Sequence, residues 1–252
     1  MRNKTAIILA AGRGSRLKEM TDDIPKPMIP VADKSIIANL VELLIMEGID
    51  HIVVLTGYMA DTLKNHLGGY ADQVKLTFIH NEIYDTTNNI YTLWLAKEYL
   101  TDGFYLFEAD IFCEREIIRR LLNDPRDNVI LVDKFNDRMN GTVVIHDTGS
   151  EKATQMILKK EQGEGYDYSQ SYKTVNFYKI GKGFTQHFFL KALENHIEKN
   201  DVNSYYELII KEAIESGFEF FSLKTNELKW WEIDHQQDLE FAVKLFQKHK
   251  GN

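Results

Sequence analysis

Leu9-Ala10-Ala11-Gly12-Arg13-Gly14-Ser15-Arg16-Leu17, followed by Pro25-Lys26-Pro27, gathers the residue types that hold a chain of phosphates. Thr5-Ala6-Ile7-Ile8-Leu9 runs into it as an apolar, partly β-branched segment, the pattern of a buried strand. A strand that ends in a glycine turn presents backbone N–H groups at its carboxyl end. Gly12 and Gly14 lack the Cβ that would keep an anion from those groups. Arg16 and Lys26 add two cations, and prolines on both sides of Lys26 stiffen the backbone that carries its ammonium. The Gly-Lys-Ser/Thr of a P-loop is absent, as is the third glycine of the dinucleotide fingerprint. Two glycines after a strand also serve as a plain tight turn. The added cations shift the expectation to a site for a nucleoside triphosphate.

Carboxylates stand at two further strand ends. Phe104-Tyr105-Leu106-Phe107 runs into Glu108-Ala109-Asp110, and Trp230-Trp231 runs into Glu232-Ile233-Asp234. An acid at the carboxyl end of a central strand lies where open α/β sheets bind ligands. Carboxylate oxygens also suit Mg2+, which keeps several of its waters. Asp110 and Asp234, with Glu232 as a third, are the candidate metal ligands. Either aspartate taken alone also reads as a cap or a surface charge.

The elements that must position these groups alternate. Strands are expected over 5–9, 52–55, 74–80, 103–108, 129–132, 142–145, 173–180 and 218–221, with 28–31 extended. Helices are expected over 35–48, 59–67, 90–100, 114–122, 184–199, 203–216 and 236–249, the second stopped by Gly68-Gly69. Such alternation predicts an α/β fold, a parallel sheet with helices on both faces. Residues 162–170 read as a mobile loop near the site. Residues 134–182 read as an acceptor-side insertion in a single domain spanning 1–252.

Composition narrows the function classes. A net charge of −8 argues against a general nucleic-acid binder. Cys113 is the one cysteine, which excludes an intrachain disulfide and fits a reducing cytosol. Met1-Arg2-Asn3-Lys4 leads into a short strand rather than a signal peptide, and no apolar run has transmembrane length. A cytoplasmic enzyme without membrane insertion is expected, and α/β enzymes of this size often pair as homodimers.

The loop and its cations resemble the signature of the nucleotidyltransferase family, which joins a nucleoside triphosphate to a phosphorylated small molecule. Over nearly the whole length the chain resembles the cytidylyltransferases that activate phosphocholine or 2-aminoethylphosphonate. Tyr84 to Leu93 with its Asn88-Asn89 pair, Met139-Asn140-Gly141-Thr142-Val143-Val144 and Tyr172-Lys173-Thr174-Val175-Asn176-Phe177-Tyr178-Lys179 carry the resemblance. Tyr205-Tyr206-Glu207 and Trp231-Glu232-Ile233-Asp234 continue it.

The resemblance implies a Rossmann-like nucleotidyltransferase fold with a mixed, mostly parallel sheet. It implies transfer of CMP from CTP to a small phosphonate or phosphate monoester, with Mg2+ as cofactor and pyrophosphate leaving. Arg16 and Lys26 would hold the triphosphate, Asp110 and Asp234 the metal, and Lys173 the acceptor's anionic head. Main-chain groups at Leu9, Ala10, Ala11 and Gly12, with Asn88, Asn89 and Thr92, would select CTP. Asn140 departs from the aminoethylphosphonate branch, where an aspartate is expected after the methionine; a neutral amide is a weaker partner for an ammonium.

Trp230, Trp231, Tyr205, Tyr206 and Tyr172 offer a partial cage for a quaternary ammonium, or simply core packing. Consecutive tryptophans on an extended segment point to opposite faces, so one at most is expected in a given pocket. Two alternatives remain open at this point: a sugar-1-phosphate enzyme using UTP or dTTP, and a nucleotide-binding module without turnover.

Overall fold

A computed structural model of the chain describes residues 4–247. Its chain order is β1 (Thr5–Ala10), β2 (Pro30–Val31), β3 (Lys34–Ser35), α1 (Ile36–Met46), β4 (His51–Thr56), α2 (Ala60–Leu67), β5 (Lys75–His80), α3 (Asn89–Leu95), β6 (Phe104–Glu108) and β7 (Ile111–Cys113). There follow α4 (Arg115–Asn123), β8 (Val129–Lys134), β9 (Val143–His146), β10 (Ala153–Ile157), β11 (Tyr172–Ile180), α5 (Lys182–Phe184), α6 (Leu190–Glu198), α7 (Glu207–Glu215), β12 (Phe221–Lys224), β13 (Trp230–Glu232) and α8 (Gln236–Phe246).

One mixed sheet runs in the order β10-β9-β11-β6-β1-β4-β5, with β8 joined to β11 and β12 joined to β8. Its centre is parallel: β1 pairs with both β4 and β6, and β4 with β5. Beyond β6 the pairing turns antiparallel through β11. Segment 134–182 supplies β9, β10 and β11 to this same sheet.

The strand sequences explain the layering. Side chains alternate along β1, so Ala6, Ile8 and Ala10 enter one core with Leu40, Leu63 and Leu121, while Ile7 enters the other with Leu93, Leu193 and Ile209. Helices α1, α2 and α4 therefore cover one face, and α3, α6 and α7 the other. A sheet buried on both faces needs apolar residues at successive positions, which Ala6-Ile7-Ile8 and Ile52-Val53-Val54-Leu55 supply. Helix α1 starts where the Ser35 hydroxyl accepts from the Ala38 N–H. A third small core gathers Leu17, Ile29, Phe112, Trp231 and Ile233 beneath α8. Among the described residues no helix is long and apolar enough to cross a membrane.

The second helix does end at Leu67 with Gly68 as its C-cap, and a separate 3-10 turn, Gly68–Tyr70, follows it. Several other expected boundaries move, each for a local reason. The helix expected over 90–100 breaks after Leu95 into a separate turn, Lys97–Tyr99. The helix expected over 184–199 starts at Lys182 and contains a π segment, Thr185–Phe189. The one expected from 203 starts at Glu207, since the Ser204 hydroxyl turns back to Asp201. The late strand occupies Phe221–Lys224, not 218–221: the Phe218 N–H bonds the Ala213 carbonyl and closes α7. Strands β7 and β10 were not expected. Loop 162–170 is tied down by Gln162, which donates to the Gly141 and Ile157 carbonyls, and by Tyr168 stacked on Phe135. The last helix ends at Phe246; Lys248 and His249, expected in it, lie outside the described residues.

Candidate active site

Strand order makes the site. From β1 the chain moves outward to β4 and β5, then returns to place β6 on the other flank of β1. The carboxyl ends of β1 and β6 thus part at a topological switch point, where a crevice opens. The segment after β1 and the acids after β6 line that crevice. Leu9, Ala10, Ala11, Gly12, Gly14, Arg16 and Lys26 share a cavity of about 260 Å³ with Asn88, Asn89, Thr92, Glu108 and Asp110.

The two glycines do different work. A Cβ on Gly12 would meet nothing within 4 Å, so its main chain faces open space. Gly14 has φ +70°, and a Cβ there would stand 2.7 Å from the Lys26 Cβ. Glycine at 14 is therefore what lets the Lys26 stem pass. Lys26 sits on a 3-10 turn, Lys26–Met28, set up by Pro25 and Pro27. Its ammonium donates to Asp110 Oδ2 at 2.9 Å and Asp234 Oδ1 at 2.8 Å. Burial alone would pull this ammonium's pKa down; the two carboxylates overcome that and hold it above its ordinary value. Arg16 is an exposed residue of the 3-10 segment Ser15–Thr21, and its guanidinium reaches Asp234 Oδ2 at 2.8 Å.

Antiparallel pairing of β13 with β7 brings the distant carboxylates together: Glu232 stands opposite Ile111, and the Ile233 N–H bonds the Asp110 carbonyl at 2.9 Å. Glu108, Asp110 and Glu232 converge, with one oxygen of each within 4.8 Å of the others. Asp234 turns instead toward Lys26 and Arg16. Burial, then the neighbouring Asp110, raises the Glu108 pKa, and burial also raises that of Glu232. Asp110 Oδ1 is buried with no hydrogen-bond partner. Crowded acids and a bare oxygen fit a divalent cation.

Strand β11 contributes through a bulge. Its pairing with β8 shifts register between Thr174 and Tyr178, and Asn176 there has φ +59°. The turned-in amide of Asn176 donates to Glu232 Oε1 at 3.2 Å and lies 3.5 Å from Glu108 Oε2. Lys173 is buried; its ammonium pairs with Glu232 Oε2 at 3.0 Å and donates to the Thr174 carbonyl at 2.7 Å. Gly141, at φ +118°, leaves room for it: a Cβ would stand 2.9 Å from the Lys173 Cε.

A second cavity of about 440 Å³ adjoins the first and shares Arg16, Asn89, Glu108 and Asp110 with it. It adds Asn140, Thr142, Lys173, Tyr205, Glu207 and Glu232. A smaller one of about 120 Å³ continues past Lys173 to Trp230, Trp231 and Asp238.

A nucleotidyl transferase family model matches residues 5–240. The chain belongs to the nucleotidyl transferase family. It is 29% identical, over 92% of its length, to CMP-5'-(3-aminopropyl)phosphonate synthase of Streptomyces rubellomurinus, of which the match spans 37%. It is 30% identical, over 94% of its length, to CTP:phosphoglutamine cytidylyltransferase of Campylobacter jejuni, of which the match spans 98%. In fold it is similar to the CTP:phosphocholine cytidylyltransferase of Streptococcus pneumoniae, with a TM-score of 0.82 and 23% identity, covering 97% of this chain and 100% of that one.

In this nucleotidyl transferase some expected selectors prove to be busy within the fold. Asn88 caps α3 by accepting from the Asn89 N–H. Asn89 Oδ1 accepts from the Tyr206 N–H at 2.9 Å, and the buried Thr92 hydroxyl accepts from Asn81 at 3.0 Å. They shape the cavity wall from bonds already made. The aromatic cage does not assemble. Tyr206 is buried, donating its hydroxyl to Glu108 Oε1 at 2.8 Å, and Tyr172 packs on His146 with ring centroids 4.3 Å apart. Only Tyr205 of the five lines the second cavity, whereas Trp230 and Trp231 both line the smallest one. That differs from the expected single tryptophan, because the two rings lie 6.3 Å apart even though they enter different cores.

Sequence reasoning missed Tyr84, Thr87 and Glu207 as lining residues. It also missed Gly57, where a Cβ would fall 2.5 Å from the Ala11 carbonyl oxygen and 2.6 Å from the Tyr84 Cβ. Main chain cannot step aside there. Gly57→Ala is expected to cost on the order of 2 kcal/mol, a Tm lower by roughly 5 °C in a thermal melt. An unchanged Tm would mean that the Ala11 loop yields freely.

Proposed function

We propose that this chain is a cytidylyltransferase that moves CMP from CTP to a small phosphate or phosphonate bearing an amino group. One oxygen of the acceptor's phosphorus group attacks the α-phosphorus of CTP, that P–O bond forms, and the bond to pyrophosphate breaks. Two anions must meet in line, so fixed positive charge matters more than a base. The observation that carries the reading is Lys26, whose ammonium joins Asp110 to Asp234 at the seam of two adjoining cavities. One cavity has a glycine loop for phosphates; the other has buried acids for a cationic tail.

The named relatives support cytidine as the base and amino-phosphorus compounds as acceptors. In this reading main-chain groups at Leu9 to Gly12 receive the nucleotide, while Arg16 and Lys26 offset its charge. Lys173 fixes Glu232, and Asn176 keeps Glu108 and Glu232 in register. Glu108, Asp110 and Glu232 would hold Mg2+, with Asp234 orienting the two cations beside it. When bound, Mg2+ supplies further positive charge against the phosphate oxygens. A single domain working in a reducing compartment fits the buried, unpaired Cys113.

The test is pyrophosphate release from CTP, UTP or dTTP with Mg2+ and either amino-phosphorus acceptors or sugar 1-phosphates. CTP with an amino acceptor is expected to exceed every UTP or dTTP combination at least tenfold in kcat/KM. Faster turnover of a sugar 1-phosphate with UTP would sink the assignment.

A further inference from the structure

Part of the second cavity is shared with neither of its neighbours. That part is formed by Gly141 and Thr142, by Leu158 with the 3-10 turn Lys159–Glu161, and by the start of α7, together with Asn176. An ion pair between Lys211 of α7 and Glu161 ties the turn to the helix. This wall carries both signs of charge. Glu207 is 9% exposed, and its Oε1 accepts from the Thr142 hydroxyl at 3.0 Å. The nearby buried cation, Lys173, acts on Glu207 only at a distance, because its ammonium forms its ion pair with Glu232. A carboxylate buried against a hydroxyl asks for a further cationic partner. Lys159 and Lys160 are exposed where they line the same cavity, and among the described residues neither forms an ion pair.

A simple amine would satisfy Glu207 and bring no anion to the two lysines, of which Lys160 has only the more distant charges of Glu161 and Asp201 near it. A quaternary ammonium would find one aromatic ring, Tyr205, and no use for the Glu207–Thr142 hydrogen-bonding edge. An ammonium with N–H donors and a carboxylate on the same carbon would satisfy both charges at once. We infer that the acceptor is an α-amino acid whose side chain ends in the reacting phosphate or phosphonate, its ammonium held at Glu207 and its carboxylate at Lys159 and Lys160. The inference rests on the reading that the second cavity holds the acceptor. Its own content is that the enzyme selects for the carboxylate.

Two matched pairs isolate that group. 2-Amino-3-phosphonopropionate differs from 2-aminoethylphosphonate only by the carboxylate, and 2-amino-4-phosphonobutyrate differs so from 3-aminopropylphosphonate. Each is assayed with CTP and Mg2+ by pyrophosphate release. The expected ratio of kcat/KM, carboxylated over decarboxylated, is about tenfold in at least one pair. In the double variant Lys159→Ala, Lys160→Ala that ratio should fall toward one. Both lysines are exposed, so the variant keeps the fold, and a merely structural role would lower both members of a pair together. A wild-type ratio at or below one in both pairs, or a ratio unchanged in the variant, overturns the amino-acid assignment while cytidylyl transfer stands. Absence of pyrophosphate with all four compounds, phosphocholine and sugar 1-phosphates overturns the transfer reading and this inference with it.

Discussion

Lys26→Met is expected to lower kcat/KM about a thousandfold, the scale of losing one charge-stabilising donor in a transition state. The ammonium stands between Asp110 and Asp234, and no other cation among the described residues reaches both. Arg16 approaches only Asp234, from an exposed position. Methionine keeps the length of the stem that packs under Gly14, so the change removes charge rather than volume. Asp110 and Asp234 then face each other without their common partner. Removing one member of a buried pair costs roughly 3–5 kcal/mol, and these carboxylates, partly open to water, should cost less. Kinetics and a thermal melt on the same preparation separate the two effects. Because the wild-type pKa lies above the ordinary lysine value, the deficit should stay constant across neutral pH. Lys26→Arg should not rescue, since a planar guanidinium fork cannot reproduce the compact ammonium that donates to Asp110 Oδ2 and Asp234 Oδ1 together. Turnover within tenfold of wild type would remove Lys26 from the mechanism.

The parts of this site written in contiguous sequence are legible from residue types alone. Gly12, Gly14, Arg16 and Lys26 lie within a few turns of one another, and Pro25 and Pro27 announce a rigid cation. The acids after Phe107 and Trp231 are legible from one rule, that open sheets bind ligands at strand ends. The same rule covers Glu108 but does not separate it from Asp110. What separates them is the partner each takes, Tyr206 on Glu108 and Lys26 on Asp110, while the β13–β7 pairing sets Glu232 beside both. Strand β7 has three residues, too short for an alternating pattern to appear. The bulge at Asn176 leaves no mark either, since Thr174-Val175-Asn176-Phe177 reads as an uninterrupted strand. Its positive φ arises from the pairing shift with β8. The aromatic cluster misleads for a related reason. Tyr205 and Tyr206 are neighbours in sequence, but only one faces the cavity, while the other spends its hydroxyl on Glu108.

Asp110→Asn should abolish turnover, again by about a thousandfold, and should also abolish the response of the fold to Mg2+. In the protein without metal, burial and neighbouring carboxylates raise the pKa values of Glu108 and Glu232 above those of an unfolded chain. Each therefore binds its proton more tightly when folded. Stability from that preference is complete below the unfolded carboxylate range and is lost as pH rises through the folded values. The metal-free protein should melt earlier at pH 8 than at pH 5 on this account. Mg2+ needs the same carboxylates ionised, so its binding strengthens over that rise. At a concentration tenfold above its Kd it should return roughly 1.4 kcal/mol, about 4 °C in Tm at this chain length. In Asp110→Asn the bare Oδ1 is lost to an amide, and the gain should vanish at both pH values while the fold persists. Glu232→Gln separates charge from ligation: it should flatten the pH slope of the metal-free melt and leave Lys173 without its ion-pair partner. A full Mg2+ shift retained in Asp110→Asn would move the metal away from the end of β6, and with it the reason for acids at this switch point.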